Sequence, residues 1–122
     1  MKKLRLDWQG FFPMEEKTIR DKVEDRAGVF KISREGKDGG LKPVYVGQAG
    51  SVRTTLLDYL TSSAYPCVKE QLKKGGCQFR YAYLYEKADL DAAERALYRR
   101  YTPKCNESEP SPGAEEVEVN YN

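Results

Sequence analysis

The stretch PVYVGQAGSVRTTLLDYL, residues 43–60, changes from a strand pattern to a helix pattern at two glycines. Its first part is rich in valine and contains a tyrosine, which favours a β-strand. Ser51 can cap a helix that ends near Leu60, and three leucines supply the apolar side of that helix. A second strand pattern, AGVFKIS at residues 27–33, precedes it across the glycine-rich segment REGKDGGLK. These features together predict a β-hairpin with a long loop.

The rest of the chain supplies further strand and helix patterns. Leu4, Leu6 and Trp8 alternate with polar residues, so a short strand ended by GFFP is expected there. The other patterns are a helix over residues 14–25, a helix closed by Gly75 and Gly76, a strand over 77–86 and a helix over 89–101. A close hairpin combined with several helices favours an antiparallel or mixed sheet covered by helices, which is an α+β fold.

The composition excludes several classes of function. The chain has 122 residues, enough for one domain, and no apolar run approaches the ~18 residues of a transmembrane helix. The absence of histidine excludes Ser–His and Cys–His catalysis and histidine-ligated metals. Cys67, Cys77 and Cys105 are odd in number and lack metal-ligand spacing, so neither a disulfide framework nor a zinc site is expected. This cysteine usage, with no secretory signal pattern at the start, predicts a reducing, cytoplasmic location.

Charge is unevenly distributed along the chain. The net charge is +2, but residues 107–122 contain five glutamates and no lysine or arginine. Residues 1–106 therefore carry 21 basic and 14 acidic residues, a net charge of +7. A basic body with an acidic tail suggests a polyanionic partner, although a merely soluble surface gives the same count. The tail is also rich in proline, serine and glycine, and it is expected to be disordered.

Three short segments resemble the GIY-YIG nuclease family. GVF at residues 28–30 and YVG at residues 45–47 are similar to the paired GIY and YIG segments of adjacent strands in that family. ERALYRRYTPKCN resembles the closing helix of the family, in which a glutamate is followed by a proline nine residues later and an asparagine twelve residues later. Glu94, Pro103 and Asn106 have these offsets. Each segment is weak evidence alone, but their order and spacing strengthen one another.

The resemblance covers about residues 27–106. It implies a small three-stranded antiparallel sheet flanked by helices. Residues 1–26 would then add an extra strand and helix packed on this domain, and residues 107–122 would be the acidic tail.

The resemblance also implies phosphodiester hydrolysis with one divalent metal, Mg²⁺ or Mn²⁺. Glu94 matches the metal-binding glutamate, Tyr45 matches the tyrosine of YIG, and Tyr59 matches a further active-site position. Asn106 matches the asparagine after the closing helix. A single carboxylate can hold Mg²⁺ when water and phosphate oxygens complete the coordination, and this chemistry needs no histidine.

The sequence departs from the family pattern at three positions. Phe30 occupies the position of the GIY tyrosine, and its ring has no hydroxyl proton to exchange. Thr55 occupies the position of the family's catalytic arginine. A lysine sometimes found three residues after the YIG tyrosine is Gln48. Arg53 is a candidate substitute for the arginine, but two helical steps turn about 200° around the axis, so Arg53 has to lie in the first turn to reach the site.

Every candidate residue also has a structural interpretation. Glu94 lies three residues after Asp91, the spacing of a helix capping box. Tyr45 and Tyr59 are as consistent with core packing as with a pocket. The basic residues near Glu94 and on the preceding helix either contact phosphates or form a solvated surface. These residues are Arg95, Arg99, Arg100, Lys104, Lys73 and Lys74.

The sequence therefore favours a nuclease-related domain that binds nucleic acid, with DNA as the expected partner, and whose hydrolytic activity is weak or lost. An active metal-dependent endonuclease using Glu94 and Mg²⁺ is the first alternative. A protein-interaction domain without nucleic-acid binding is the second.

Overall fold

The computed structural model describes residues 1–121. Its elements, in chain order, are β1 (Lys2–Leu4), β2 (Gln9–Pro13), α1 (Glu16–Lys22), β3 (Gly28–Glu35), β4 (Leu41–Ala49), α2 (Val52–Thr61), α3 (Pro66–Lys74), β5 (Cys77–Tyr83), α4 (Lys87–Tyr101) and β6 (Val117–Val119). Four strands form one sheet in the order β2-β5-β3-β4, and all neighbours in it are antiparallel. β1 and β6 form a separate parallel pair. The predicted α+β class is confirmed.

Strand β3 lies at the centre of the predicted three-stranded unit. The hairpin aligns Phe30 with Gly47 and Ile32 with Tyr45, and β5 pairs along the other side of β3. β2 extends this unit to four strands by pairing with β5. The cleft described below lies beside β4, at the opposite edge of the sheet from β2.

Alternate residues of the strands build two cores, one on each face of the sheet, because successive side chains of a strand point to opposite faces. Phe30 and Ile32 pack with α1, α2 and α3 on one face. Val29 packs with Leu97 of α4 and with Val117 on the other.

The prediction of a strand at Leu4 to Trp8 is wrong. Strands β1 and β2 lie on either side of this segment, and GFFP, which was expected to end the strand, belongs to β2. Leu6 is buried, but its backbone N–H donates to the side chain of Asn120, whose amide donates back to the Leu6 carbonyl. The alternation of apolar residues therefore reflects burial without a strand ladder.

The acidic tail differs from the disordered segment that its composition predicts. β6 pairs with β1 by its backbone, and Val117 and Val119 are both buried. A three-residue apolar alternation is too short to change the composition of the segment, which explains why the sequence analysis missed it. The division of the chain at residues 26 and 106 stays a prediction.

The expectation that no disulfide forms is also wrong. Cys67 and Cys105 are joined by a disulfide across 38 residues of sequence, whereas Cys77 is free and buried. This bond links the start of α3 to the segment after α4, a contact that depends on the tertiary fold and not on sequence spacing. The argument from cysteine usage to a reducing location therefore loses its basis. In residues 1–121, no helix is long and apolar enough to cross a membrane.

Candidate functional site

A cleft of about 360 Å³ lies beside β4, between α4, the start of α3 and the segment after α4. The described residues that line it include no lysine or arginine. They are Tyr45, Ala64, Tyr65, Pro66, Cys67, Val68, Glu94, Cys105, Asn106, Glu107, Ser108 and Pro110. The cleft therefore combines aromatic rings with two carboxylates.

Glu94 is the most buried of these acids. Its carboxylate accepts a hydrogen bond of 3.0 Å from Nε2 of Gln48, and the same Nε2 lies 2.6 Å from Oδ1 of Asp91. The side-chain Oε1 of Gln48 accepts a hydrogen bond of 3.0 Å from Nζ of Lys87, which also forms an ion pair with Asp91. Burial raises the pKa of Glu94 above its ordinary value. One glutamine amide therefore connects two carboxylates to the ammonium of an exposed lysine.

Helix α4 starts earlier than the capping-box interpretation of Glu94 requires. The helix begins at Lys87 with Glu86 as its N-cap, so Asp91 lies inside it and is not a cap. Asp91 and Glu94 instead share one side of the helix, because residues three apart are neighbours on its surface. The hydrogen bond from Gln48, followed by the one from Lys87, lowers the pKa of Asp91.

The two tyrosines predicted as catalytic have different surroundings. Their ring centroids are 5.4 Å apart in an edge-to-face contact, but Tyr45 lines the cleft whereas Tyr59 is only 4% exposed. Burial, assisted by the neighbouring Tyr45 hydroxyl, raises the pKa of Tyr59. The Tyr59 hydroxyl is therefore harder to ionise than that of an ordinary tyrosine, which makes it a poor candidate for a general base. The ring of Tyr65, 38% exposed, packs on Tyr59 at a centroid distance of 4.5 Å and forms part of the cleft wall.

Phe30 is fully buried beneath these tyrosines. Its ring packs against Tyr45 and Tyr59 with centroid distances of 6.1 and 5.9 Å. The Phe30 ring also lies close to Gly47, since a Cβ atom added to Gly47 would lie only 2.8 Å from Cζ of Phe30. Gly47 thus allows the backbone of β4 to approach the ring that replaces the tyrosine of GIY.

The two helix positions that bear on the missing arginine also differ. The Nε of Arg53 donates a hydrogen bond of 2.7 Å to the carbonyl oxygen of Val23, at the end of α1. Thr55 lies four residues before Tyr59 and therefore on the same side of α2. The described contacts of Arg53 connect it to α1 and not to the cleft.

Asn106 holds the segment after α4 against β4. Its side-chain oxygen accepts a hydrogen bond from the Val46 N–H, and its side-chain amide donates to the Val46 carbonyl. The neighbouring Cys105 N–H donates to Val44. Asn106 lines the cleft, but its hydrogen bonds position the wall of the cleft.

The predicted basic residues form two groups. Arg95 and Arg99 both form ion pairs with Glu109, and Arg99 also pairs with Glu116. Arg95 additionally donates to the carbonyl oxygen of Ala114. The acidic segment therefore occupies these two arginines.

The remaining basic residues are less engaged with acids. Nζ of Lys74 lies 3.8 Å from Oε1 of Glu70, and the Arg100 guanidinium lies over the ring of Tyr121. Lys73 and Lys104 are exposed, and within residues 1–121 neither has a salt bridge.

Sequence reasoning missed three residues around Glu94. In the sequence, Gln48 stands out only as the absence of a lysine, and no motif points to Lys87 or Tyr65. Lys87 precedes Asp91 by four residues, an ion-pair spacing on a helix that the sequence contains. No sequence signal indicates that Gln48 would lie between them, because this contact joins β4 to α4.

The cleft offers oxygen donors of the kind that Mg²⁺ prefers. Within residues 1–121, no three acidic or cysteine side chains lie close enough together to hold a metal ion. The carboxylate of Glu94 is nevertheless partly buried beside a cleft whose described lining contains no lysine or arginine to offset its charge. The residues therefore fit one divalent cation held mainly by Glu94, with water completing its coordination.

Comparison with known proteins identifies the fold. No protein-family model and no curated protein matches the chain. The magnesium-bound crystal structure of the GIY-YIG N-terminal endonuclease domain of UvrC from Thermotoga maritima matches with a TM-score of 0.57 and 21% identity, covering 74% of this chain and 97% of that one. Two point mutants of the same domain, each bound to the catalytic divalent cation, match with TM-scores of 0.59 and 0.58 and identities of 20% and 22%, covering 75% of this chain and 98% of theirs. This chain has the GIY-YIG fold.

Proposed function

We propose that this chain is a nucleic-acid-binding domain of nuclease descent whose hydrolytic activity is weak or lost. The observation that carries the proposal is the lining of the cleft. It keeps Glu94, Tyr45 and Asn106, but no lysine or arginine of the described residues lines it. A phosphoryl transition state gathers negative charge, and without a positioned cation that charge is poorly stabilised.

Proton transfer is weakened in the same cleft. Phe30 replaces a hydroxyl with a hydrogen atom, and burial raises the pKa of Tyr59, so its hydroxyl is harder to ionise. Tyr45 and Tyr65 are the tyrosines of the cleft lining that are left to orient an attacking water. Loss of a proton-transfer group costs about 10²–10⁴-fold in rate, and loss of a charge stabiliser costs about 10²–10³-fold.

Binding of nucleic acid needs fewer groups than hydrolysis. Lys73 and Lys104 are exposed, which leaves them free to contact phosphates. DNA is the expected nucleic acid. Glu94 would hold Mg²⁺ or Mn²⁺, which supplies Lewis-acid stabilisation of the leaving oxygen when it is bound.

An active endonuclease is the second candidate, and one contact favours it. Lys87 reaches the Gln48 amide that contacts Glu94, so an ammonium lies near the carboxylate although it does not line the cleft. In an active enzyme, Lys87 of α4 would take the place of the family's lysine, whose position in this chain is occupied by Gln48 of β4.

The test is cleavage and binding of labelled duplex, nicked, branched and single-stranded DNA and of RNA, with Mg²⁺ or Mn²⁺. Glu94→Ala is compared with Asp89→Asn, which removes a carboxylate of the same helix that pairs with Lys2. We expect salt-sensitive binding in all three proteins and little or no cleavage.

Cleavage that disappears in Glu94→Ala and persists in Asp89→Asn would establish the active enzyme instead. Absence of both binding and cleavage would overturn both candidates and leave the protein-interaction domain.

A further inference from the structure

A row of aromatic rings and cations lies on the face of the sheet that α4 covers, near strand β2. We call it the aromatic–cation strip, and it consists of Trp8, Phe11, Lys31, Arg80, Arg100 and Tyr121. Phe11 belongs to β2, Trp8 directly precedes β2, and Arg80 belongs to β5. The cleft, in contrast, lies at the β4 edge of the sheet. The strip is therefore separate from the cleft.

Strand register places the two inner cations side by side. Lys31 of β3 is aligned with Arg80 of β5, so both side chains leave the same face of the sheet. The Arg80 guanidinium carbon lies 4.9 Å from the centroid of Phe11 and 5.9 Å from that of Trp8. The Lys31 ammonium lies 4.9 Å from Trp8.

A break in β2 exposes the first ring of the strip. The register of β2 against β5 shifts between Gln9 and Phe12, and Gly10 has a φ of 95°. A Cβ at Gly10 would lie 2.8 Å from the carbonyl oxygen of Phe79, so a larger residue does not fit there. Phe12 packs toward one core, while Phe11 remains 40% exposed. An exposed phenyl ring beside a guanidinium is the result.

The last part of the strip comes from the C-terminal segment. The Lys31 ammonium donates to the Tyr101 hydroxyl and to the Tyr121 carbonyl oxygen, which fixes the segment against the sheet. The Tyr121 ring then lies 5.2 Å from the guanidinium carbon of Arg100, which is exposed. Rings and cations thus alternate from Phe11 to Arg100.

The cations of the strip differ from the neighbouring arginines in their ion pairing. Within residues 1–121, none of Lys31, Arg80 and Arg100 forms a salt bridge, whereas Arg95 and Arg99 of the same helix region are both paired with glutamate. Burial, and then the nearby Arg80, lower the pKa of Lys31 to about 8. Within the described residues, these three cations therefore form no direct ion pair.

We propose that the aromatic–cation strip binds single-stranded nucleic acid, with a base stacked on Phe11 and phosphates held by Arg80 and Arg100. The exposed Phe11 ring beside Arg80 and the exposed Arg100 suit a strand whose bases are unstacked, because every base has a π-face and every linkage carries a negative charge. A duplex hides its base faces and offers only its phosphates. Lys31 is too buried to touch the ligand, and it contributes to the positive potential from below.

The chain contains its own reporter for this site. Trp8 is the only tryptophan, and it belongs to the strip. The full chain is titrated with a short oligothymidylate and with a duplex of the same length, in EDTA and at low salt, while the Trp8 emission is recorded. We expect saturable quenching by the single strand and a weaker response to the duplex.

Matched variants locate the binding. Phe11→Ala is expected to weaken oligothymidylate binding about tenfold. Arg100→Gln is expected to reduce the salt dependence of the affinity by about one phosphate contact. Tyr85→Ala is the control for Phe11, because Tyr85 is 61% exposed beside Arg26 and outside the strip. Lys37→Gln is the control for Arg100, because Lys37 is exposed in the loop between β3 and β4 and outside the strip. Both controls are expected to bind as the parent does.

Three outcomes would overturn the inference. They are no quenching by oligothymidylate, equal losses in the strip variants and their controls, or equal binding of the duplex. Quenching by anionic vesicles without any response to oligonucleotide would assign the strip to a lipid surface instead. Glu94→Ala in the same assay separates this site from the cleft, because the strip is expected to bind equally well whether or not the cleft has any function.

Discussion

The cleft and the aromatic–cation strip are built from similar rings but opposite charges. The cleft presents Tyr45 and Tyr65 with the partly buried carboxylate of Glu94, and its described lining has no cation. The strip presents the exposed ring of Phe11 with Arg80 and the exposed Arg100, and within residues 1–121 its cations form no salt bridge. Each site carries a charge that its own side chains do not neutralise. If both proposals hold, the two edges of one small sheet bind ligands of opposite sign, a divalent cation at β4 and a polyanion at β2.

The largest expected effect comes from restoring the groups that the cleft lacks. The double variant Phe30→Tyr with Thr55→Arg adds a hydroxyl beside Tyr45 and a guanidinium on the side of α2 that carries Tyr59. Cleavage of DNA with Mg²⁺ is expected to rise about 10²–10³-fold over the parent. Gel assays of a labelled substrate measure this.

The gain has to vanish when Glu94→Ala is added to the double variant. A double variant that folds, as judged by circular dichroism, and still fails to cleave would mean that the cleft is not a hydrolytic site.

Removal of the disulfide tests how the cleft is held together. Cys67→Ser with Cys105→Ser opens a link across 38 residues, and chain-entropy arguments put the loss at about 4 kcal/mol of unfolding free energy. Denaturant titration of the parent with and without a reducing agent measures the same quantity.

The reducing agent should leave the double serine variant unchanged, because Cys77 is not bonded. Oligothymidylate binding by the strip should change less than binding at the cleft, since the bond joins two walls of the cleft. A parent whose stability is insensitive to reduction would contradict the bond.

Neutralising the acidic segment tests whether Arg95 and Arg99 are available to nucleic acid. Glu109→Gln with Glu116→Gln frees both arginines from their ion pairs, and duplex DNA affinity at low salt is expected to rise about threefold to tenfold. Fluorescence anisotropy of a labelled duplex measures the change.

Glu15→Gln with Glu35→Gln is the matched control, because both residues are exposed and the variant has the same net charge. An equal rise in the two double variants would mean that net charge alone acts and that the acidic segment does not cover a binding surface.

The smallest expected effect concerns the pH dependence of stability. Lys31 is faced by Arg80 of β5, by Tyr101 of α4 and by Tyr121, and its pKa falls from 10.5 in the unfolded chain to about 8 in the folded protein. Between these two values the unfolded chain binds the extra proton, so this group makes the protein more stable as the pH rises above 8. Below pH 8 the contribution is constant.

Lys31→Met is expected to remove this rise. Denaturant titrations at pH 7, 8 and 9 measure it, below the range in which tyrosines of the unfolded chain ionise. An unchanged slope in the methionine variant would mean that Lys31 is not the group responsible.

Local patterns in the sequence contained most of the fold. The hairpin of β3 and β4, the helix capped by Ser51 and the strand β5 follow from periodicity and turn residues that lie within a few positions of each other. The resemblance of short segments predicts Glu94 as a metal ligand and Tyr45 as a catalytic residue, and both side chains line the cleft. Their roles in catalysis stay predictions.

Contacts between distant parts of the chain were not readable in the same way. The strand near the N-terminus was misplaced because Leu6 is held by Asn120, and the tail was expected to be disordered although β6 pairs with β1. The disulfide joins cysteines whose spacing has no recognisable pattern.

The sequence by itself determined the α+β class, the hairpin and the lack of any histidine-based chemistry. Only the tertiary structure decided that Gln48 links Glu94 to Lys87 and that Lys31 lies between Trp8 and Tyr101. The physical reason is that periodicity and turn propensity act between near neighbours. The charge around a buried group, in contrast, depends on which distant side chains the folded chain brings against it.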